Sequence, residues 1–193
     1  MLVREFRYLS TEDRAEIKYG GSDFAWSRPY EYCYALDTIN KYLSSAKTVH
    51  NTSWGFEGVH NLFRETLDLS FEATHSDIRY STHKNTKIWD ITQQPEEADL
   101  QYYDIVMNIS TVEEIPYSNH VEILKNLFKM VKPGGLLIVT MDIPGAQLDN
   151  ISNWVNKLPE DSKPRLNGAN SKVQNTKYTH LNAVGLVLQK ELN

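Results

Sequence analysis

The sequence predicts an α/β protein with a largely parallel sheet covered by helices. Three observations lead there. Strand-like and helix-like patterns alternate, with short turn signals between them, from residue 28 to about residue 144. Leu136-Leu137-Ile138-Val139 is a continuous apolar run of the kind found in strands covered on both faces. Helix breakers separate the two patterns, most sharply at Lys132-Pro133-Gly134-Gly135.

The elements follow in order. Residues 1–27 are polar and mixed, end in the loop-like Gly20-Gly21-Ser22-Asp23, and read as an extension to the core. In RPYEYCYALDTINKYL, Pro29 suits a first helical turn, and Tyr30, Tyr34, Ile39 and Leu43 fit one face. Residues 47–53 suit a short strand, and Trp54-Gly55 turns into a helix over 55–67. A second strand is expected over 69–76, ending at Asp77, and a third over 86–89, ending at Asp90. Residues 103–108 make a fourth. The clearest helix covers 118–131, with Val121, Leu124, Leu127, Phe128 and Val131 on one side, and it stops at the Pro-Gly-Gly turn. A buried strand follows over 136–141. Residues 145–177 are rich in Asn, Ser, Lys and Pro, and a last strand over 181–190 closes the chain. No internal repeat or linker divides it, so one domain over 1–193 is expected: extension 1–27, core 28–144, and tail with last strand 145–193.

Composition narrows the function classes. The chain has 193 residues, 40% of them hydrophobic, which is enough for one substantial core. Twenty Lys and Arg against 25 Asp and Glu leave a net charge of −5, which argues against a nucleic-acid partner. The lone Cys33 excludes an internal disulfide framework and a cysteine-based zinc cluster. No apolar run is long enough for a bilayer, and the N-terminal residues lack a hydrophobic signal stretch, so no membrane association and a cytoplasmic location are expected. Asp142, Asp149 and Asn150 are oxygen ligands, but they suit a solvated loop and helix start better than a Mg²⁺ site, so no metal is expected.

In parallel sheets ligands bind beyond the carboxyl ends of the strands, where the winding direction changes. The first such end, Asn51-Thr52-Ser53-Trp54-Gly55-Phe56-Glu57-Gly58, has two glycines and lacks the G-x-G-x-x-G spacing, and no G-x-x-x-x-G-K-[ST] loop occurs. Gly55 and Gly58 equally suit a tight turn. Asp77 could accept hydrogen bonds from the vicinal hydroxyls of a ribose, and Asp90 one from an exocyclic amine such as that of adenine; both also suit turn aspartates. Asn51, Asp77, Asp90 and Asp104 are spaced 26, 13 and 14 residues apart, matching repeating βα units.

The segment Phe128 to Thr140, FKMVKPGGLLIVT, closely resembles the helix, L-K-P-G-G turn and fifth strand of class I S-adenosylmethionine-dependent methyltransferases. Tyr103 to Ile115 resembles that family's fourth-strand motif D-x-V-x-x-x-S-x-x-E-H-I, with Glu114 in place of the His. Asp77-Ile78 and Trp89-Asp90-Ile91 are similar to its second and third strand ends, and Ser27 to Tyr32 to an N-terminal helix in some members. The resemblance covers roughly residues 27–144. It implies a three-layer Rossmann-like sandwich, with a mostly parallel sheet and an antiparallel last strand. It also implies S-adenosylmethionine as cofactor and methyl transfer to a small-molecule or saccharide acceptor. Asn51, Thr52, Ser53, Trp54, Gly55 and Gly58 would wrap the methionine part, Asp77 and Ile78 the ribose side, Asp90 and Ile91 the adenine, and Asn108, Ile109 and Ser110 the cofactor's face. The family's first motif, an acid followed by G-x-G-x-G, is degraded: Asn51 replaces the acid and Ser53 a glycine. A catalytically silent binding or scaffold protein is therefore the second expectation.

Catalytic groups are not diagnostic in this class, because methyl transfer depends mainly on alignment. Candidates are Asn108, Ser110, Glu113 and Asp142, with His60, His75, His83, His120 and His180 also available. Tyr19, Phe24, Trp26, Tyr30 and Tyr32 crowd the zone where the family commonly builds an acceptor lid, and Arg165 to Ser171 offers amides and hydroxyls for a polyhydroxyl acceptor.

Overall fold

Seven strands form a single sheet in the computed structural model, which describes residues 1–10, 13, 27–54, 59–143, 148–155 and 182–192. The strands are β1 (Leu2–Tyr8), β2 (Thr48–Thr52), β3 (Glu72–Asp77), β4 (Thr86–Ile88), β5 (Tyr103–Ile109), β6 (Val131–Ile143) and β7 (Asn182–Gln189). Their spatial order is β1-β7-β6-β5-β2-β3-β4. Every pairing from β6 to β4 is parallel, and β7 pairs antiparallel with both β6 and β1, so β7 alone runs against the others. The chain steps outward from β2 to β4, then crosses back to β5 and β6. The winding therefore reverses between β2 and β5.

Helices cover both faces. On one side α1 (Arg28–Tyr42) and α2 (Val59–Ser70) pack over Ile105, Met107, Leu136 and Ile138; on the other, α3 (His120–Met130) and α4 (Leu148–Val155) pack over Val106, Leu137, Val139 and Met141. Cover on both faces explains why every residue of β5 is buried and why β6 reads as unbroken Leu-Leu-Ile-Val. This is the expected three-layer sandwich, with a mostly parallel sheet and an antiparallel last strand. Among the described residues no helix is long and apolar enough to cross a membrane.

Several local expectations change. Residues 2–8, read as part of an extension, form edge strand β1: Val3 and Phe6 turn into the core, while Arg4 is exposed. Glu5 accepts from Tyr42 Oη at 2.7 Å and pairs with Lys41 at 2.5 Å, tying β1 to the end of α1. Charges along an edge strand discourage further pairing, and they are also what hid it. The second strand starts at Glu72, not residue 69, because α2 runs on to Ser70 with Phe63 and Leu67 buried and Leu69 exposed. Helix α3 starts at His120, after a 3₁₀ turn at Tyr117–Asn119, and buries Ile123, Leu124, Leu127 and Met130. Val131 opens β6.

The Pro-Gly-Gly turn sits inside β6 as a ladder irregularity between the pairs Tyr103–Val131 and Ile105–Leu136. Gly134 has φ +82°, and a Cβ on Gly135 would lie 2.6 Å from the Asp104 carbonyl oxygen, so both positions need glycine. Asp104, counted among the strand ends by spacing, stands at the start of β5, on the edge opposite the site. There it accepts from the Lys47 and Thr48 backbone N–H groups at 2.9 and 3.0 Å and pairs with Lys132.

Candidate functional site

β2 and β5 lie side by side at the winding reversal, and a serine in the left-handed region follows each: Ser53 at φ 53° and Ser110 at φ 48°. Such a conformation costs a non-glycine residue about 1–2 kcal/mol. Hydrogen bonds from Ser53 N–H to Ser76 O (2.7 Å) and from Ser110 N–H to Thr140 O (3.0 Å) hold the two turns in place. Two of the four left-handed non-glycine residues among those described, the others being Asn85 and Gln101, thus flank the topological switch point, the edge where such sheets bind ligands.

Strand alternation sorts the expected residues by face. Thr52 and Asn108 turn to the α3 side and are fully buried; Asn108 Nδ2 donates to Thr52 Oγ1 at 2.8 Å, and Thr52 Oγ1 donates to Met107 O at 3.0 Å. Their side chains brace the two strands, while Asn108 Oδ1 is buried without a partner among the described residues. Asn51, Ser53, Trp54 and Ile109 line a small pocket of about 70 Å³, together with Arg28, Tyr32 and Phe63. Tyr32 stacks on Phe63 with ring centroids 4.0 Å apart. Trp54 meets His83 edge-on at 5.1 Å, and the Arg64 guanidinium lies 5.5 Å from the Trp54 ring centroid. The Asn51 side chain makes no hydrogen bond to a described residue. Gly55 and Gly58 lie outside the described residues.

Asp77 ends β3, buried but for 5%. Its Oδ1 accepts the Arg79 backbone N–H at 3.0 Å, and its Oδ2 accepts nothing from a described residue. Ile78 next to it is 67% exposed. Asp90 forms an Asx turn, with Oδ1 accepting from Thr92 N–H at 2.9 Å and Thr92 Oγ1 at 2.8 Å. The Ile91 side chain is core, so this residue can offer a ligand only its backbone. Asn126 of α3 donates to the Ile91, Thr92 and Gln93 carbonyls at 3.4, 3.3 and 3.1 Å and fixes the loop.

Ser110, Glu113 and Asp142, candidates from the sequence, join Ser27, Arg28 and Glu31 in a polar cluster that sequence reasoning did not foresee, where the start of α1 meets the ends of β5 and β6. Arg28 Nη1 donates to Glu31 Oε2 at 2.7 Å, and Nη2 donates to Ser110 O at 3.2 Å. Ser27 Oγ lies 2.5 Å from Asp142 Oδ1 and 3.1 Å from Glu31 Oε2. Glu113 Oε1 accepts the Asp142 N–H at 2.8 Å. Glu31 Oε1 and Glu113 Oε2 are buried without a partner among the described residues. Burial, and next the Glu31 carboxylate, push the Glu113 carboxyl up to about 8, so it carries a proton at neutral pH. The Ser-Arg-Pro-Tyr-Glu run at the start of α1 was the sequence signal for the α1 half of this cluster.

The histidines have other roles. His50 is fully buried between the Thr74 and Ser76 hydroxyls at 2.7 and 3.0 Å, and burial holds its pKa well below the usual value. His75 meets Asp68 at 2.8 Å, and His120 meets Ile115 O at 2.8 Å. His180, Tyr19, Phe24, Trp26 and residues 165–171 lie outside the described residues. Among the described residues no three His, Cys, Asp or Glu side chains are arranged to hold a metal.

No protein-family model and no curated protein matches the chain. Solved structures do. The plantazolicin methyltransferase BpumL in complex with SAH superposes with a TM-score of 0.59 at 10% identity, over 90% of this chain and 88% of that one. The cyclase SpnF superposes at 0.57 and 10% identity, over 97% and 88%. The citrinin polyketide synthase CMeT domain structure superposes at 0.55 and 12% identity, over 88% of this chain but 54% of that one, so this chain spans about half its length. The fold is that of class I S-adenosylmethionine-dependent methyltransferases.

Proposed function

We propose that the chain is an S-adenosylmethionine-dependent methyltransferase with a small-molecule or saccharide acceptor. The observation that carries the reading is Asp77: a nearly buried carboxylate at a parallel strand end, one oxygen held by the Arg79 N–H and the other without a partner among the described residues. That oxygen suits the vicinal hydroxyls of a ribose. Other groups fit the same ligand. Ile78 offers an exposed apolar face beside Asp77, Asp90 and the Ile91 backbone suit an adenine edge, and Asn51, Ser53 and Ile109 line the pocket next to β5. The left-handed turns at Ser53 and Ser110 shape the backbone on both sides of the switch point. When bound, this cofactor supplies a methyl group made electrophilic by a sulfonium sulfur. Glu113, whose Oε2 has no partner among the described residues, is the candidate to exchange a proton with an acceptor. The net charge of −5 disfavours a nucleic-acid acceptor, and a single, buried cysteine, Cys33, accords with a reducing, cytoplasmic setting.

A second reading, a silent binding or scaffold protein, is favoured by Asn51, which brings no charge where the family's motif has an acid. That the cyclase SpnF shares the fold also shows that the architecture alone does not fix the reaction. Methyl transfer from labelled S-adenosylmethionine to a panel of sugars, amines and carboxylates separates the readings. Label in any acceptor supports the enzyme; saturable binding with no transfer across the panel supports the scaffold.

A further inference from the structure

We infer that the protein binds a second small molecule, a free amino acid with an aromatic or apolar side chain, in a cleft on the amino edge of the sheet, opposite the switch point. β5, β2, β3 and β4 are neighbours in the sheet, and the cleft opens where all four begin. Tyr102 precedes β5, Thr48 and Glu72 open β2 and β3, and Asn85 precedes β4. The cleft holds about 430 Å³, against about 70 Å³ for the pocket beside Asn51, and falls in the range of about 300–1,000 Å³ usual for small-molecule sites. The two left-handed residues away from the switch point stand here. Asn85, at φ 59°, is part of the wall, and Gln101, at φ 53°, turns the chain into Tyr102. None of the described lining residues belongs to the strand ends around Asp77, so the cleft is independent of the cofactor assignment.

The lining groups select the ligand by what they leave unmatched. Most of the polar ones are committed to the protein. Asp68 Oδ2 accepts from Arg64 Nη1 at 2.5 Å, and its Oδ1 meets His75 Nε2 at 2.8 Å. Thr48 Oγ1 donates to Asp104 Oδ2 at 3.0 Å, and Thr74 Oγ1 lies 2.7 Å from His50 Nδ1. Asn85 Nδ2 donates to the Ala73 carbonyl at 3.3 Å. Two charged groups remain, the Glu72 carboxylate and the Lys84 ammonium; both are exposed, and neither pairs with a described residue. A ligand that satisfies both carries an ammonium and a carboxylate, whereas a neutral or singly charged one leaves at least one of them unmatched. Tyr102, 55% exposed, and Phe71, half-buried against the core, add two rings that an aromatic or apolar side chain can cover.

Amide NMR titration of the isotope-labelled full chain tests this with four probes: phenylalanine; phenethylamine, which lacks the carboxylate; hydrocinnamate, which lacks the ammonium; and glycine, which lacks the ring. Phenylalanine is expected to give saturable shifts concentrated at Glu72, Thr74, Lys84, Asn85 and Tyr102. Each of the other three should bind at least about threefold more weakly, the effect of one exposed ion pair or one covered ring. Lys84→Ala should bring phenylalanine down to the level of phenethylamine, and Glu72→Ala to that of hydrocinnamate. The unmodified chain alone decides the matter, whether or not the variants fold. Three results overturn the proposed site: no saturable shift up to about 20 mM phenylalanine, shifts centred instead on Ser53, Asp77 and Ser110, or binding of any other probe as tight as that of phenylalanine. Each of them leaves the methyltransferase reading standing, because that reading rests on the opposite edge of the sheet.

Discussion

Replacing Glu113 with glutamine should stabilise the protein increasingly as pH rises, with almost no effect in acid. In the native fold Oε1 of Glu113 accepts the Asp142 N–H at 2.8 Å, while Oε2 is buried without a described partner. Burial, and next the charge of Glu31, raise the carboxyl from 4.5 to about 8. An acid whose pKa is higher folded than unfolded holds more protons in the native state between those values. Stability therefore falls as pH rises from about 4.5 to about 8 and is level beyond. A shift of about 3.5 units at 1.36 kcal/mol each sets a ceiling of about 5 kcal/mol, and local relaxation around the ionised group brings the expected value to on the order of 2 kcal/mol. Glutamine keeps an acceptor for the Asp142 N–H and is neutral at every pH. Urea unfolding of both proteins, from about pH 5 to about pH 9, reads the difference directly, since other titrating groups cancel. Glu113→Gln should match the wild type near pH 5 and exceed it by on the order of 2 kcal/mol near pH 9. A difference that does not change with pH would refute the reasoning.

Three further outcomes follow from the geometry. Ser53→Gly removes the left-handed strain at φ 53° and should raise unfolding stability by about 1 kcal/mol, whereas Ser53→Val should lower it. Gly185→Ala places a methyl 2.3 Å from the buried Tyr34 ring and should cost about 2–3 kcal/mol in chemical unfolding, partly recovered by Tyr34→Leu. Against burial, Lys132 and the Thr48 and Lys47 N–H groups hold the Asp104 carboxyl down at about 2. Its stabilisation is present above its ordinary value of 3.8 and is lost as pH falls through about 2. Asp104→Asn should thus be destabilised at neutral pH, with the gap to wild type closing towards pH 2 in acid-unfolding curves.

Much of the fold was legible because β5 and β6 are covered on both faces and their composition says so directly. The helix ahead of the Pro-Gly-Gly turn was also clear, since the breakers fix its end. Asp77 and Asp90 were legible as strand ends, and both stand on the site edge. Asp104 matched the spacing too, yet it ties the opposite edge to Lys132, because regular spacing does not distinguish the start of a strand from its end. β1 was hidden: Arg4, Glu5 and Arg7 make it look polar, and only pairing with β7 supplies the reason for a strand. The Thr52–Asn108 brace joins residues 56 apart, and the Arg28–Glu31–Glu113–Asp142 cluster gathers three distant segments. Neither pairing leaves a local pattern, so tertiary structure alone reveals which polar residues near the strand ends face a ligand and which support the sheet.

The central claim is that the strand ends around Asp77 bind S-adenosylmethionine. Calorimetric titration of S-adenosylhomocysteine into the folded chain and into Asp77→Ala tests it most directly. The expected result is saturable binding, one ligand per chain, that weakens by at least about 30-fold in Asp77→Ala while the circular dichroism of the variant is unchanged. No heat at millimolar ligand from a folded wild-type chain, or equal affinity in the two proteins, would contradict it.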